Sequence, residues 1–223
     1  MQDAYNWMRS VLATKVPIDP DNVIVFGQSA GGGLSVISGY KLAPPPKAVI
    51  SFYPYCTTFM TYYTYNPTTP LDPSLYEEAQ AFFTPVITEY DASKTNPRET
   101  LFSHALQQQK AGWLLTTQDP NATSSQILAT LSQYSAVLHV TPKYPPTYLA
   151  HGLNDTLVPY NQSVAMSNAL NLMKVPNKLV LVPGVGHGFD NRVTPQQWQE
   201  YVLPAFDFAQ QYLTTKDTEE INI

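Results

Sequence analysis

An α/β chain with a mostly parallel sheet and flanking helices is predicted by three observations. Four short β-rich runs, Val23 to Phe26, Ala48 to Tyr53, Thr147 to Ala150 and Leu179 to Val182, are each followed within two residues by glycine or proline. Helical patterns separate the runs, an alternation that crossover connections in a parallel sheet satisfy most simply. The first run passes through the glycine-flanked turn Gly27-Gln28-Ser29-Ala30-Gly31 straight into a helical pattern. At 223 residues the chain can bury one full core, so a single domain over residues 1–223 is expected.

Taken in order, Ala4, Trp7, Met8, Val11 and Leu12 recur at helical spacing, which predicts a helix over residues 2–14. Pro17, Asp19, Pro20 and Asp21 supply turn chemistry before the first strand. After the glycine turn, Leu34, Val36, Ile37 and Leu42 suit a buried helix. Residues 57–140 differ in character and read as a helical, cap-like insertion. Leu75, Ala79, Phe82, Phe83 and Val86 outline one helix there; Leu101, Phe102, Ala105 and Leu106 a second; Ile127, Leu128, Leu131 and Tyr134 a third. Such an insertion is either a cap that shapes a substrate pocket or a helical packing layer. Its aromatic residues, Tyr62, Tyr63 and Tyr65 among them, favour the cap. Further helices are predicted over residues 160–174 and 195–213, the last kinked at Pro204.

Composition excludes several function classes. Seventeen Asp and Glu stand against 12 Lys and Arg without a basic cluster, so nucleic acid is not an expected partner. Charged residues make up 13% of the chain, below the usual figure of about 25%. That predicts a surface rich in neutral polar groups, or more buried surface than the chain covers by itself. Cys56 is the single cysteine, leaving no internal disulfide and no CxxC pair. No basic-then-apolar N-terminal stretch and no apolar run of about 18 residues occurs, so the expected compartment is the cytoplasm, with no transmembrane segment. The sequons at Asn121, Asn154 and Asn161 are then chance matches.

The glycine turn has the composition of a nucleophile elbow, in which a strand bends sharply into a helix and exposes a serine hydroxyl. Gly27 and Gly31 would give strand and helix room to pass, with Ser29 at the bend. A serine hydroxyl needs a base to take its proton and a third group to hold that base. The third β-rich run leads into His151-Gly152-Leu153-Asn154-Asp155 and the fourth into Gly186-His187-Gly188-Phe189. Ligands of parallel sheets bind beyond the carboxyl ends of the strands, which would bring Ser29, Asp155 and His187 to one rim.

Each residue also has a plainer reading. Ser29 and Asp155 could cap the helices that follow them, and His187 could be a core histidine, with Asp190 an alternative carboxylate. His151 reads as structural, and His104 and His139 as lying in the insertion without partners. A metal site from His151, Asp155, His187 and Asp190 is disfavoured, because the spacing matches no familiar zinc signature.

The order Ser, Asp, His on these loops resembles the α/β-hydrolase superfamily. More narrowly, Gly27-Gln28-Ser29-Ala30-Gly31-Gly32, Tyr53-Pro54, His151-Gly152-x-x-Asp155-x-x-Val158-Pro159 and Gly186-His187-Gly188-Phe189 resemble its esterase and lipase branch related to hormone-sensitive lipase. The resemblance covers nearly all of the chain outside the insertion. It implies Ser29 as nucleophile, His187 as general base, Asp155 as the carboxylate that orients it, and the Ala30 N–H as an oxyanion donor. It implies no metal and no organic cofactor.

The family's first four strands and its glycine-rich oxyanion loop have no counterpart here, so the chain is expected to be the C-terminal part of the fold. Losing one oxyanion donor costs about 100- to 1,000-fold in turnover, which predicts impaired activity. The Val23 to Phe26 strand would form a sheet edge open to association. The leading functional expectation is a serine esterase acting on a small-molecule ester. A prolyl-oligopeptidase-like peptidase and a catalytically silent relative acting as a binding module are the alternatives.

Overall fold

The computed structural model describes residues 1–57, 68, 70–82, 97–117, 119–191 and 193–213. In chain order these form α1 (Gln2–Ser10), a 3-10 turn (Leu12–Thr14), β1 (Ile24–Gln28), α2 (Ala30–Lys41), β2 (Ala48–Phe52), α3 (Pro73–Phe82), α4 (Pro97–Gln107), α5 (Ala111–Thr116), α6 (Ser124–Ser132), a 3-10 turn (Ala136–Leu138), β3 (Thr147–Gly152), α7 (Asn161–Leu172), β4 (Asn177–Val182), α8 (Pro195–Gln197), a π-helical turn (Trp198–Val202) and α9 (Leu203–Gln210). Two compact units divide them: residues 1–57 with 136–223, and residues 58–135.

The first unit is a four-stranded, wholly parallel sheet in the order β1-β2-β3-β4, with helices on its faces, the predicted α/β class. Strand residues alternate between two cores, as the period-2 geometry of a strand requires. Val49 and Leu149 pack with Val36 of α2 and with Met166 and Leu170 of α7. Ala48, Ile50, Phe52 and Ala150 pack with Val202, Ala205 and Ala209. Among the described residues β1 pairs on one side only and forms an edge, where Phe26 is 43% exposed.

Two helices turn differently from their apolar spacing. In α1 the buried residue is Tyr5, and Trp7 is half exposed. Arg9 explains the orientation: it lies 5.5 Å over the Tyr5 ring and pairs with Asp21 at 2.8 Å, tying α1 to the turn before β1. In α2 the buried face is Gly32, Gly33, Ser35, Val36, Ser38 and Gly39, while Leu34 faces outward. Small residues permit a close approach there, since a Cβ on Gly32 would lie 2.6 Å from the Phe52 carbonyl oxygen.

Just before Pro204, where a kink is expected, the chain makes a π-helical turn. Proline has no N–H for the carbonyl four residues back, and the helix widens where that bond is lost. Among the described residues no helix is long and apolar enough to cross a membrane.

The second unit is helical and has its own core of Leu75, Ala79, Leu101, Ala105, Ala111, Trp113, Leu114, Ile127 and Leu131. α5 has no counterpart in the sequence reading, because a six-residue helix is too short to display a period. His104 is partnered after all: the packing of α3 and α4 sets its Nδ1 3.1 Å from Glu78 Oε2. His139 falls in the first unit and stacks on Tyr40 at 4.4 Å. Tyr62, Tyr63, Tyr65, Phe83 and Val86 lie outside the described residues.

Candidate active site

Between β1 and α2 the chain turns at Ser29, whose φ of 53° and ψ of −119° fall where L-residues are rarely found. Such a conformation costs on the order of 1–3 kcal/mol and persists only when the surroundings impose it. Here they do. The Ser29 N–H donates to the Phe52 carbonyl at 3.0 Å, and the Ser29 carbonyl accepts from the Gly33 N–H at 2.9 Å. A Cβ on Gly27 would lie 2.0 Å from the Gly31 carbonyl oxygen, so only glycine fits that position. Gly31 itself faces open space, with nothing within 4 Å of where its Cβ would be. The crowded glycine on the helical side is Gly32, because it is the one whose Cβ would point at β2. Ala30 opens α2, where an N–H has no partner within its own helix.

β1, β3 and β4 then deliver three side chains to one rim. Ser29 Oγ lies 2.8 Å from His187 Nε2, and His187 Nδ1 lies 2.7 Å from Asp155 Oδ2. A carboxylate only accepts, so Nδ1 carries the proton of the neutral ring and Nε2 is left to accept from the serine hydroxyl. The Asp155 side chain is fully buried, whereas that of His187 is 20% exposed. Asp155 Oδ1 accepts from the N–H groups of Leu157 and Val158 at 2.9 and 2.8 Å.

His151, read as structural from its place at the end of β3, bonds to the same carboxylate. Its Nε2 lies 3.1 Å from Asp155 Oδ2 and 2.8 Å from the Val158 carbonyl oxygen, and its Nδ1 lies 2.8 Å from Ser163 Oγ. The Val158 carbonyl is an acceptor, so Nε2 carries the proton and Nδ1 accepts from the Ser163 hydroxyl. Burial pushes the His151 pKa below its ordinary value, despite opposing contributions from Val158 and Asp155. A neutral donor thus supports the carboxylate from behind. The His151-Gly152-x-x-Asp155 spacing was its only trace in the sequence.

Asp190, the alternative carboxylate, is engaged elsewhere. Its Oδ1 accepts from the Tyr53 hydroxyl at 2.5 Å, and its Oδ2 accepts from the Gln28 side-chain amide. Burial, then the bond to Asp190, raises the Tyr53 pKa well above that of a free phenol. Among the described residues no group of His, Cys, Asp and Glu is arranged to hold a metal ion.

A family model described as BD-FAE matches residues 1–170, a stretch that includes Ser29 and Asp155 and stops before β4 and His187. The chain belongs to the BD-FAE family. This BD-FAE chain shares its fold with esterases of the α/β-hydrolase superfamily. One is an acetyl ester-xyloside bifunctional hydrolase from Caldicellulosiruptor lactoaceticus, 20% identical, with a TM-score of 0.56 over 96% of this chain and 65% of that one. Another is a propionate-bound esterase from Thermogutta terrifontis, 19% identical, with a TM-score of 0.57 over 96% of this chain and 65% of that one. Among curated proteins, the BD-FAE chain is 27% identical over 93% of its length to the non-reducing polyketide synthase Preu6 of Preussia isomera. It spans 11% of that protein.

Proposed function

We propose that this chain is a serine hydrolase that cleaves carboxylic esters of small molecules through an acyl-enzyme on Ser29. The observation that carries the reading is the continuous line of contacts from Ser29 Oγ to His187 at 2.8 Å and from His187 to Asp155 at 2.7 Å. In this reading the turn at Ser29 is a nucleophile elbow. His187 Nε2 takes the hydroxyl proton as Oγ bonds to the acyl carbon, and the charge on the imidazolium is balanced by Asp155. The Ala30 N–H, at the start of α2, donates to the developing oxyanion. Collapse breaks the bond to the alcohol oxygen, which leaves with the proton from His187. Water then repeats the sequence and frees the acid and Ser29.

Incubation with a fluorophosphonate, followed by peptide mapping, tests the nucleophile. An adduct on Ser29 that disappears in His187→Ala supports the assignment, and a folded chain without an adduct refutes it.

The likeness to a polyketide synthase over 93% of the chain favours a second substrate for the same chemistry. The acyl group would be a polyketide-type acid delivered as a thioester, so that Ser29 displaces a thiol in place of an alcohol. Turnover of matched acyl esters and acyl thioesters separates the two. A kcat/KM for thioesters at least about tenfold above that for esters would favour the second.

A further inference from the structure

Building on the assignment of Ser29 and His187 as nucleophile and base, we propose that Tyr53 and Asp190 are positioning residues that, with Gln28, fix the tilt of the His187 ring. Bonds to Ser29 and Asp155 hold His187 at its two nitrogens, which leaves the ring free to roll about the line joining them. A roll swings the Nε2 lone pair away from Oγ. The buried Tyr53 ring stands at 62° to the His187 ring with centroids 4.6 Å apart, and blocks that movement. Phe189 also packs on this tyrosine, 5.6 Å away at 78°.

Tyr53 is in turn fixed at both ends. Its N–H donates to the Ala150 carbonyl at 2.7 Å, and its hydroxyl donates to Asp190 Oδ1 at 2.5 Å. Its φ of 40° is a second left-handed non-glycine conformation on the rim that holds Ser29. Strain of this kind is kept where a side chain must point in one direction. The Asp190 carboxylate also accepts from Gln28, the residue just before the nucleophile, while Asp190 itself lies three residues after the base. One anion therefore joins the segment carrying Ser29 to the segment carrying His187 through charge-assisted bonds.

The test compares Tyr53→Phe, Asp190→Ala, Asp190→Asn and the Tyr53→Phe/Asp190→Ala double variant with wild type. The readouts are the rate of Ser29 modification by a fluorophosphonate, the kcat and KM of an ester, and the downfield proton resonance of the His187 Nδ1–H. Tyr53→Phe and Asp190→Ala are expected to slow modification and kcat about 10- to 100-fold with KM little changed, as sub-ångström misplacement of a base would. The double variant should be no slower than the slower single variant, because both remove one unit. Asp190→Asn, which keeps an acceptor for Tyr53, should recover most of the rate, and Tyr53→Phe should shift the His187 resonance. Variants that melt lower but react at the wild-type rate per folded molecule, with an unmoved resonance, would overturn the clamp while leaving the nucleophile intact. Failure of wild type itself to label at Ser29 would overturn the underlying catalytic assignment.

Discussion

His151 and His187 meet at one oxygen: Asp155 Oδ2 lies 3.1 Å from Nε2 of the first and 2.7 Å from Nδ1 of the second. With two further bonds from the Leu157 and Val158 N–H groups to Oδ1, the buried carboxylate is held by four donors. Removing His151 leaves the Ser163 hydroxyl and the Val158 carbonyl short of a partner and opens a void. His151→Ala is therefore expected to destabilise the fold by about 2–4 kcal/mol, measured by urea denaturation. Ser163→Ala should cost roughly 1 kcal/mol, having removed one neutral bond.

The same histidine sets a pH dependence. Its folded pKa is lowered, chiefly by burial, whereas the unfolded imidazole titrates near about 6.5. Between those two values the unfolded chain binds more protons, so stability falls with falling pH. The contribution is intact above about pH 6.5 and is lost as pH drops toward the folded value. Urea midpoints of wild type should decline more steeply from about pH 7.5 to about pH 5.5 than those of His151→Gln.

Ser29 combines backbone strain with the hydroxyl proposed as nucleophile. Ser29→Gly relieves a φ of 53° that only glycine adopts without cost. Allowing for the greater freedom of glycine in the unfolded chain, a net gain of about 1 kcal/mol is expected, seen as a higher melting temperature. Ester hydrolysis should be lost in that variant and in Ser29→Ala. Equal melting of wild type and Ser29→Gly would show that the turn stores no strain.

The glycines of the turn should separate sharply. Gly27→Ala puts a methyl 2.0 Å from the Gly31 carbonyl oxygen, and Gly32→Ala puts one 2.6 Å from that of Phe52. Both contacts are with backbone, which cannot swing aside, so each variant is expected to lose more than about 3 kcal/mol or to fail to fold. Gly31→Ala meets nothing and lies in the first turn of α2, so a change between zero and a gain of about 1 kcal/mol is expected. Soluble yield and chemical denaturation of the three variants provide the check.

Strand identity, the alternation of strands and helices, and the placement of Ser29, Asp155 and His187 after β1, β3 and β4 were all legible in the sequence, because each depends on local period and turn chemistry. The direction of a helix face was less so. Leu34 looked like a core residue, but apart from Val36 the buried positions of α2 went to glycine and serine, since close packing on a sheet rewards small volume over hydrophobicity. The contacts of His151, Tyr53 and Asp190 were hidden for another reason. Their partners lie 12 residues away for His151 with Ser163 and 137 for Tyr53 with Asp190, and no local pattern records a hydrogen bond made across a sheet rim. Sequence alone singled out Ser29, Asp155 and His187 as candidates for one site at the carboxyl ends of the strands. Tertiary structure decided that His151 and His187 share one oxygen of Asp155 and that Tyr53 meets Asp190 beside them, because those contacts join segments whose approach no local pattern encodes.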